Sequence, residues 1–205
     1  QHVGANNRGI RRAKSAAPHT QPAMGKTVRS VARVLPFSRP HWVGDGFNVL
    51  PVFAAEAFSA EISPWLMFDY AAPKNFPKTS KRLGVGQHPH RGFETVTIAF
   101  QGEVEHADSV GNHGVIGAGD VQWMTAARGI IHEEFHSRKF AAEGGTFEMC
   151  QLWVNLPAKH KMDPPRYQEI LAASIPTVAL AAAGPSCEAG GGGQLRVIAG
   201  EYAGA

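Results

Sequence analysis

Cysteine is scarce in this chain, which has only Cys150 and Cys187 among 205 residues. Two thiols are too few for a disulfide framework or a cysteine-rich zinc site, so we expect a reducing, cytoplasmic location. No segment approaches the roughly 18 to 20 consecutive apolar residues that cross a bilayer, so no membrane association is expected. The sequence also lacks a G-x-S-x-G elbow, a phosphate-binding loop and a dinucleotide fingerprint, and nothing in it supports a hydrolase, a kinase or a dehydrogenase.

Acidic residues are absent from the first 40 positions, which carry eight of the 20 lysines and arginines. The remaining 12 bases stand against all 17 acids, so the rest of the chain has a formal net charge near −5. An acidic body disfavours direct nucleic-acid binding, and we interpret the basic tail as a solvated segment. Residues 1–23 resemble an upstream translation or a transit-like leader. We favour Met24 as the start, and a targeting leader remains the alternative.

Short apolar runs separated by glycine and proline make up most of the remaining sequence, and helical periodicity is scarce. Such a pattern predicts an all-β barrel or sandwich. Strands are predicted over residues 27–35, within 47–70, from His88 onward, over 121–124, over 147–156 as the last barrel strand, and over 195–199, with an exposed loop over 71–87.

Alternation is clearest in the strand that follows His88. Val96, Ile98 and Phe100 share one face with His90, and this face becomes apolar away from the histidine. We therefore expect these three side chains to fill the barrel interior, with the histidines at one end of it.

Two pairs of potential metal ligands occur at i, i+2 spacing, His88 with His90 and His132 with Glu134. On a strand, both members of such a pair point to the same face, with backbones about 6 to 7 Å apart. Their side chains can then converge on one ion at the usual ~2.0 to 2.1 Å for nitrogen ligands. Three imidazoles and a carboxylate suit iron(II), manganese, nickel, copper or zinc, and the absence of thiolates argues against a structural zinc site.

The other polar and sulfur-containing candidates receive structural interpretations. Glu94 is expected to be a supporting or structural acid, and His136 a rim or surface residue. His106 and His113 are expected to be exposed. Trp123, Met124 and Cys150 are expected in the core, and Cys187 is expected to be an exposed linker thiol.

Three motifs give the sequence a recognisable identity: His88-Pro-His-Arg-Gly-Phe-Glu-Thr-Val96, Gly119-Asp-Val-Gln-Trp-Met-Thr125 and Gly129-Ile-Ile-His-Glu-Glu134. They closely resemble the pirin family of the cupin superfamily, over roughly residues 27–171. The resemblance implies a double-stranded β-helix barrel that binds one iron. The implied ligands are the same four residues that the spacing selects: His88, His90, His132 and Glu134.

The resemblance also implies two kinds of function. Pirin-like proteins include bacterial and human members with quercetin 2,3-dioxygenase activity, so one hypothesis is an iron(II) dioxygenase of a flavonol-like substrate with Glu134 as catalytic base. The human nuclear member acts as a transcription co-regulator, so the alternative is a metal- and redox-sensing regulator that acts through a protein partner. A metal-storage or structural domain is a third, weaker hypothesis.

The predicted domain organisation follows from the composition and the resemblance. Pirins have two cupin barrels, and the second is expected to begin near Gln194 and to be cut off, so that the chain is a fragment or a truncated product. We divide the chain into a tail (1–25), a metal-binding cupin domain (26–160), an Ala/Gly/Pro-rich linker (161–193) and the start of a second cupin domain (194–205).

Overall fold

A computed structural model of the chain describes residues 30–36, 38–54, 59–180, 192–202 and 204. None of the helices in these ranges is long and apolar enough to cross a membrane. The predictions for the N-terminal tail before residue 30 and for Cys187 lie outside the described residues.

Strands form most of the described chain. They are β1 (His41–Val43), β2 (Phe47–Ala54), β3 (Trp65–Phe76), β4 (Gly84–His90), β5 (Phe93–Gln101), β6 (Val104–Asp108), β7 (His113–Ile116), β8 (Val121–Thr125), β9 (Ile130–His136), β10 (Gly145–Asn155), β11 (Arg166–Ile170), β12 (Thr177–Leu180) and β13 (Gly193–Arg196). Two short helices, α1 (Ser59–Ile62) and α2 (Arg138–Glu143), and two 3-10 turns, Ala158–His160 and Ala172–Ser174, complete the described elements.

The strands pair antiparallel in two large sheets that enclose one core. The seven-stranded sheet has the order β1-β2-β3-β10-β5-β8-β11, and the four-stranded sheet has the order β4-β9-β6-β7. Apolar residues of both sheets and Phe140 of α2 form the interior cluster, which includes Phe47, Phe76, Ala99, Val104, Ile116 and Phe147. The predicted all-β fold is confirmed.

The face of β5 that points into the barrel is the opposite of the predicted one. Ala99 belongs to the interior cluster, whereas Val96 and Ile98 pack in a second cluster on the outer face of the seven-stranded sheet. Phe100 is 43% exposed. Because β5 is covered on both faces, apolar alternation alone does not identify its inner face.

The N-terminal part of the predicted linker contributes a strand, β11, to the seven-stranded sheet. Strand β11 pairs with β8, so β10 is not the last barrel strand. Strand β13 pairs with β12 in a separate two-stranded sheet, which gives the predicted strand near Leu195 a partner. Ile175 belongs to the outer cluster, and Ile198 packs against it. The division of the chain into domains otherwise stays a prediction.

Two local predictions are wrong in the described residues. Residues 30–36 are irregular rather than a strand, with Val31 and Val34 about 78% and 83% exposed. Residues 71–87 are not one exposed loop, because β3 continues to Phe76 and β4 begins at Gly84. Pro73 lies in β3 where the register with β10 is irregular, and such a bulge accommodates a residue without a backbone N–H.

Close backbone contact between β4 and β9 positions the predicted ligands. A Cβ atom at Gly84 would stand 2.2 Å from the Glu134 carbonyl oxygen and 2.5 Å from the Phe135 Cα. Only glycine leaves room for this approach. Gly84 therefore brings the strand that carries His88 and His90 onto the strand that carries His132.

Candidate metal centre

Paired strands bring the predicted histidines to one end of the barrel. His88 of β4 lies directly opposite His132 of β9, and His90 lies opposite Ile130. The register of β4 shifts between Val85 and His88, a bulge of the kind that commonly redirects side chains next to functional sites. Residues 126–129 connect β8 to β9.

The three imidazoles form a compact group. One ring nitrogen from each of His88, His90 and His132 lies within 4.8 Å of the others. The ring centroids are 4.3 Å apart for His88 and His132, 4.7 Å for His90 and His132, and 4.8 Å for His88 and His90. Among the described residues, these three histidines form the group of potential ligands that could hold a metal ion.

Burial keeps two of these imidazoles uncharged at neutral pH. The pKa of His90 is lowered to about 4 by burial and then by the neighbouring His132 and His88. Burial and the neighbouring His88 lower the pKa of His132 to about 3. A neutral imidazole has a free lone pair, which is the form that binds a metal.

Both ring nitrogens of His132 are buried and have no hydrogen-bond partner among the described residues. A buried polar atom without a partner costs about 1 to 3 kcal/mol, so proteins rarely keep two on one ring without a reason. A metal ion would satisfy one of these nitrogens. The donor set and the unpartnered nitrogens therefore fit a transition metal.

Glu134 lines the same cavity as His88 and His90, but it does not belong to the group of histidines whose ring nitrogens lie within 4.8 Å of one another. Its carboxylate accepts hydrogen bonds from Gln151 Nε2 at 3.2 Å to each oxygen, and Thr97 Oγ1 stands 3.4 Å from Oε1. The side chain is 5% exposed. The structure thus brings three of the four predicted ligands together. The fourth, Glu134, is held by hydrogen bonds from Gln151 and Thr97.

Two of the three histidines, His88 and His90, line a cavity of about 680 Å³. Such a volume lies within the ~300 to 1,000 Å³ range of small-molecule sites. Its walls are mainly apolar, and its lining is His41, Val43, Phe47, Val49, Met67, Asp69, Val85, His88, Pro89, His90, Arg91, Phe93, Glu134, Met149, Gln151 and Trp153.

Two histidines that were predicted to be exposed are buried instead. His106 is 2% exposed and contacts the Tyr167 hydroxyl, and burial lowers its pKa to about 4. His136 is 2% exposed, and its Nε2 donates to the Gly46 carbonyl oxygen at 2.9 Å. Their partners lie 61 and 90 positions away, so no local sequence pattern reveals them.

The remaining interpretations agree with the structure. His113 is exposed, whereas Met124 and Cys150 are buried. Trp123 is half-buried and packs against the outer cluster. Glu94 lies outside the histidine group and accepts a hydrogen bond from Thr125 Oγ1 at 2.6 Å, as expected for a structural acid.

Sequence reasoning missed the side chains that hold Glu134. Gln151 and Trp153 lie on β10, where Phe147, Met149, Gln151 and Trp153 alternate onto the inner face. Gln151 is the polar residue in this otherwise apolar series. That interruption is the sequence signal that could have placed it beside a polar site.

Comparison with known proteins supports the resemblance. The Pirin family model matches residues 46–154. A Pseudomonas aeruginosa protein whose name marks it as a candidate quercetin 2,3-dioxygenase is 60% identical over 162 residues, which are 79% of this chain and 54% of the relative. A Solanum lycopersicum pirin-like protein is 48% identical over 56% of this chain and 36% of its own length.

Solved structures agree in fold. The crystal structure of a quercetin 2,3-dioxygenase from Acinetobacter baumannii is 57% identical, with a TM-score of 0.76 over 82% of this chain and 56% of that protein. A Geobacillus kaustophilus structure is 32% identical, with a TM-score of 0.60 over 82% of this chain and 59% of that protein. This chain thus spans about half of the length of these similar proteins.

Proposed function

The chain belongs to the pirin family of cupin-fold proteins, and on this basis we propose that it binds one iron(II) ion and acts as an oxidoreductase of the quercetin 2,3-dioxygenase type. The observation that carries this proposal is the group of three histidines, in which His90 and His132 are buried and His88 is half-buried. His88 and His90 line an apolar cavity, together with the carboxylate of Glu134. The names of the Pseudomonas and Acinetobacter relatives support the reaction class.

The ligands proposed for the metal ion are three imidazoles and one carboxylate, and each contributes differently to binding. Neutral His90 and His132 offer lone pairs without first releasing a proton, which favours metal uptake at neutral pH. Glu134 adds the negative charge that hard divalent ions prefer. The same donors suit manganese, nickel, copper and zinc, so iron(II) is proposed from the family rather than from the ligands alone. The proposed ligands are His88, His90, His132 and Glu134.

The apolar walls of the cavity favour a flat aromatic substrate such as a flavonol. Phe93 and Trp153 lie with ring centroids 4.5 Å apart beside His90, and such rings offer planar contact surfaces. A bound metal would supply Lewis acidity and a template for oxygen and substrate. The chain's own side chains would bind the rings, exclude water and orient the substrate hydroxyl toward the histidine end.

Glu134 is proposed to accept the proton of the substrate hydroxyl. It lines the cavity, and its carboxylate oxygens accept hydrogen bonds from Gln151. A carboxylate placed at the histidine end can act as general base for a hydroxyl that binds there, an effect typically worth 10² to 10⁴ in rate.

The test is quercetin consumption by protein reconstituted anaerobically with iron(II) and then exposed to oxygen, followed by the loss of flavonol absorbance. Glu134→Gln is expected to lower turnover about 10²- to 10⁴-fold when iron(II) is supplied in excess to keep the three histidines loaded. The matched control is Glu133→Gln, because Glu133 is the next residue on β9 and pairs with Arg82 at 3.2 Å instead. Iron-loaded wild-type protein that leaves quercetin unchanged would contradict the proposal.

The regulatory alternative uses the same ligands, and no contact among the described residues favours it. It stays a prediction, together with the predicted cytoplasmic location. Equal affinity of a protein partner for the ferrous and ferric forms would eliminate it.

A further inference from the structure

We propose that Gln151 is a positioning residue that fixes the carboxylate of Glu134, and that Trp153 sets the direction of the Gln151 amide. The inference rests on the proposed function, because it concerns the carboxylate that is assigned there as metal ligand and base. It adds two residues of β10 to a site whose proposed ligands all come from the other sheet.

The orientation of the Gln151 amide follows from the hydrogen bond that it accepts from Trp153. The indole Nε1 of Trp153 lies 3.1 Å from Gln151 Oε1. An indole N–H can only donate, so the atom that it meets must be the amide oxygen. The Gln151 NH2 group is therefore turned away from Trp153, toward Glu134.

The turned amide group reaches Glu134 and Thr97 together. Gln151 Nε2 lies 3.2 Å from both carboxylate oxygens of Glu134 and 3.1 Å from Thr97 Oγ1. The Thr97 hydroxyl hydrogen can then point to Glu134 Oε1, 3.4 Å away. The result is a directed series of donors that runs from Trp153 through Gln151 to the carboxylate.

Trp153 is itself held by the site. Its ring packs against Phe93 at 4.5 Å between centroids and meets His90 edge-on at 5.2 Å. The residue that orients Gln151 thus also contacts a proposed ligand. Movement of β10 relative to the histidine group would disturb His90 and Glu134 together.

Strand pairing in the seven-stranded sheet fixes the position of Gln151 relative to its neighbours. Gln151 lies opposite Thr97 on β5 and opposite Asp69 on β3. Strand β10 pairs with a strand on each side, so the Gln151 side chain starts from a rigid backbone. Without the amide, the buried Glu134 carboxylate keeps the Thr97 hydroxyl as its described donor and loses its fixed orientation.

The experiment measures cobalt(II) binding to the full chain, by titration and by the visible absorption spectrum of the bound ion. Gln151→Leu keeps the volume and removes the donor; Trp153→Phe keeps a ring and removes the N–H. The matched control is Trp65→Phe on the neighbouring strand β3, where the indole is 44% exposed and outside the cavity. Circular dichroism establishes that each variant folds.

Gln151→Leu is expected to weaken cobalt(II) binding about 10- to 100-fold, the usual cost of losing a partner of a ligand, and to change the spectrum. Trp153→Phe is expected to have a smaller effect in the same direction and to add little when combined with Gln151→Leu, because it acts through that residue. In a Glu134→Gln background, Gln151→Leu should leave the spectrum unchanged, which a merely structural role would not predict. Trp65→Phe should match wild type.

The outcomes separate the two proposals. If wild-type protein binds no cobalt(II), the proposed metal site is contradicted, and so is this inference, which depends on it. If wild type binds cobalt(II) and neither Gln151→Leu nor Trp153→Phe alters affinity or spectrum, only the assignment of Gln151 is overturned. If the Gln151→Leu protein does not fold, the Trp153→Phe variant decides the question. An unchanged cobalt(II) spectrum in that variant would overturn the inference.

Discussion

His132 and His136 lie four residues apart on β9, point into the same barrel and are 1% and 2% exposed. Nevertheless, their surroundings differ. His136 donates to the Gly46 carbonyl oxygen and stacks on Phe147 at 4.6 Å, whereas both nitrogens of His132 lack a partner among the described residues. Burial alone thus does not distinguish these two histidines, whereas the lack of described partners at both ring nitrogens of His132 does.

The two ends of the barrel differ in the same way. Around His136, the rings of Phe47, Phe76 and Phe140 complete an apolar core with centroids 4.6 to 5.7 Å from the imidazole. Around His132, the neighbouring rings are two further histidines, and a cavity opens beside them. The first end gains stability from packing, and the second keeps polar groups that only a bound ligand would satisfy.

The largest effect expected from this contrast is on metal-dependent stability. Zinc(II), which is redox-inert, should raise the free energy of unfolding of wild type by about 2.7 kcal/mol at 100 times its Kd. His132→Leu should abolish this gain because it removes a ligand. His136→Leu should retain it. Urea unfolding with and without zinc(II) measures the difference, and equal gains in both variants would remove the distinction.

A second effect concerns the metal-free protein. His136→Leu should lower the free energy of unfolding by about 1 to 3 kcal/mol, because the Gly46 carbonyl loses its donor. His132→Leu should leave it unchanged or raise it by up to about 3 kcal/mol, because unpartnered nitrogens are removed. Urea unfolding of the chelator-treated proteins tests this. A large loss in His132→Leu would show that His132 has a structural partner.

The smallest effect, compared over one pH unit, is on pH dependence. His132 has an ordinary pKa of 6.5 when unfolded and about 3 when folded, because burial disfavours its charge. The unfolded chain therefore binds the proton first as pH falls, so metal-free wild type should lose stability from pH 6.5 downward through pH 4. One such histidine contributes about 1.4 kcal/mol per pH unit. His132→Leu should show a shallower slope than wild type in the same range, and equal slopes would contradict the shift.

Much of the site was predictable from sequence because it lies in two short motifs. The i, i+2 spacing places His88 with His90 and His132 with Glu134, and strand geometry then determines the face that each pair occupies. The family resemblance gave the barrel fold. The structure adds that three of these side chains form one group, while Glu134 is held beside them by Gln151.

The wrong predictions for β5, His106 and His136 share a physical cause, since they depended on contacts distant in sequence. The inner face of β5 carries the buried Thr95 and Thr97, and Thr97 contacts Glu134 of the other sheet. His106 and His136 required knowledge of Tyr167 and Gly46. Period-two patterns show which residues share a face but not which face is inside when both are covered.

Metal content tests the central claim most directly. Elemental analysis should be made on protein purified without a histidine tag, with wild type beside the double variant His88→Ala/His132→Ala. The account predicts about one transition-metal ion, principally iron, per wild-type chain and almost none in the variant. Equal metal content in the two proteins, or none in wild type after anaerobic reconstitution with iron(II), would contradict it.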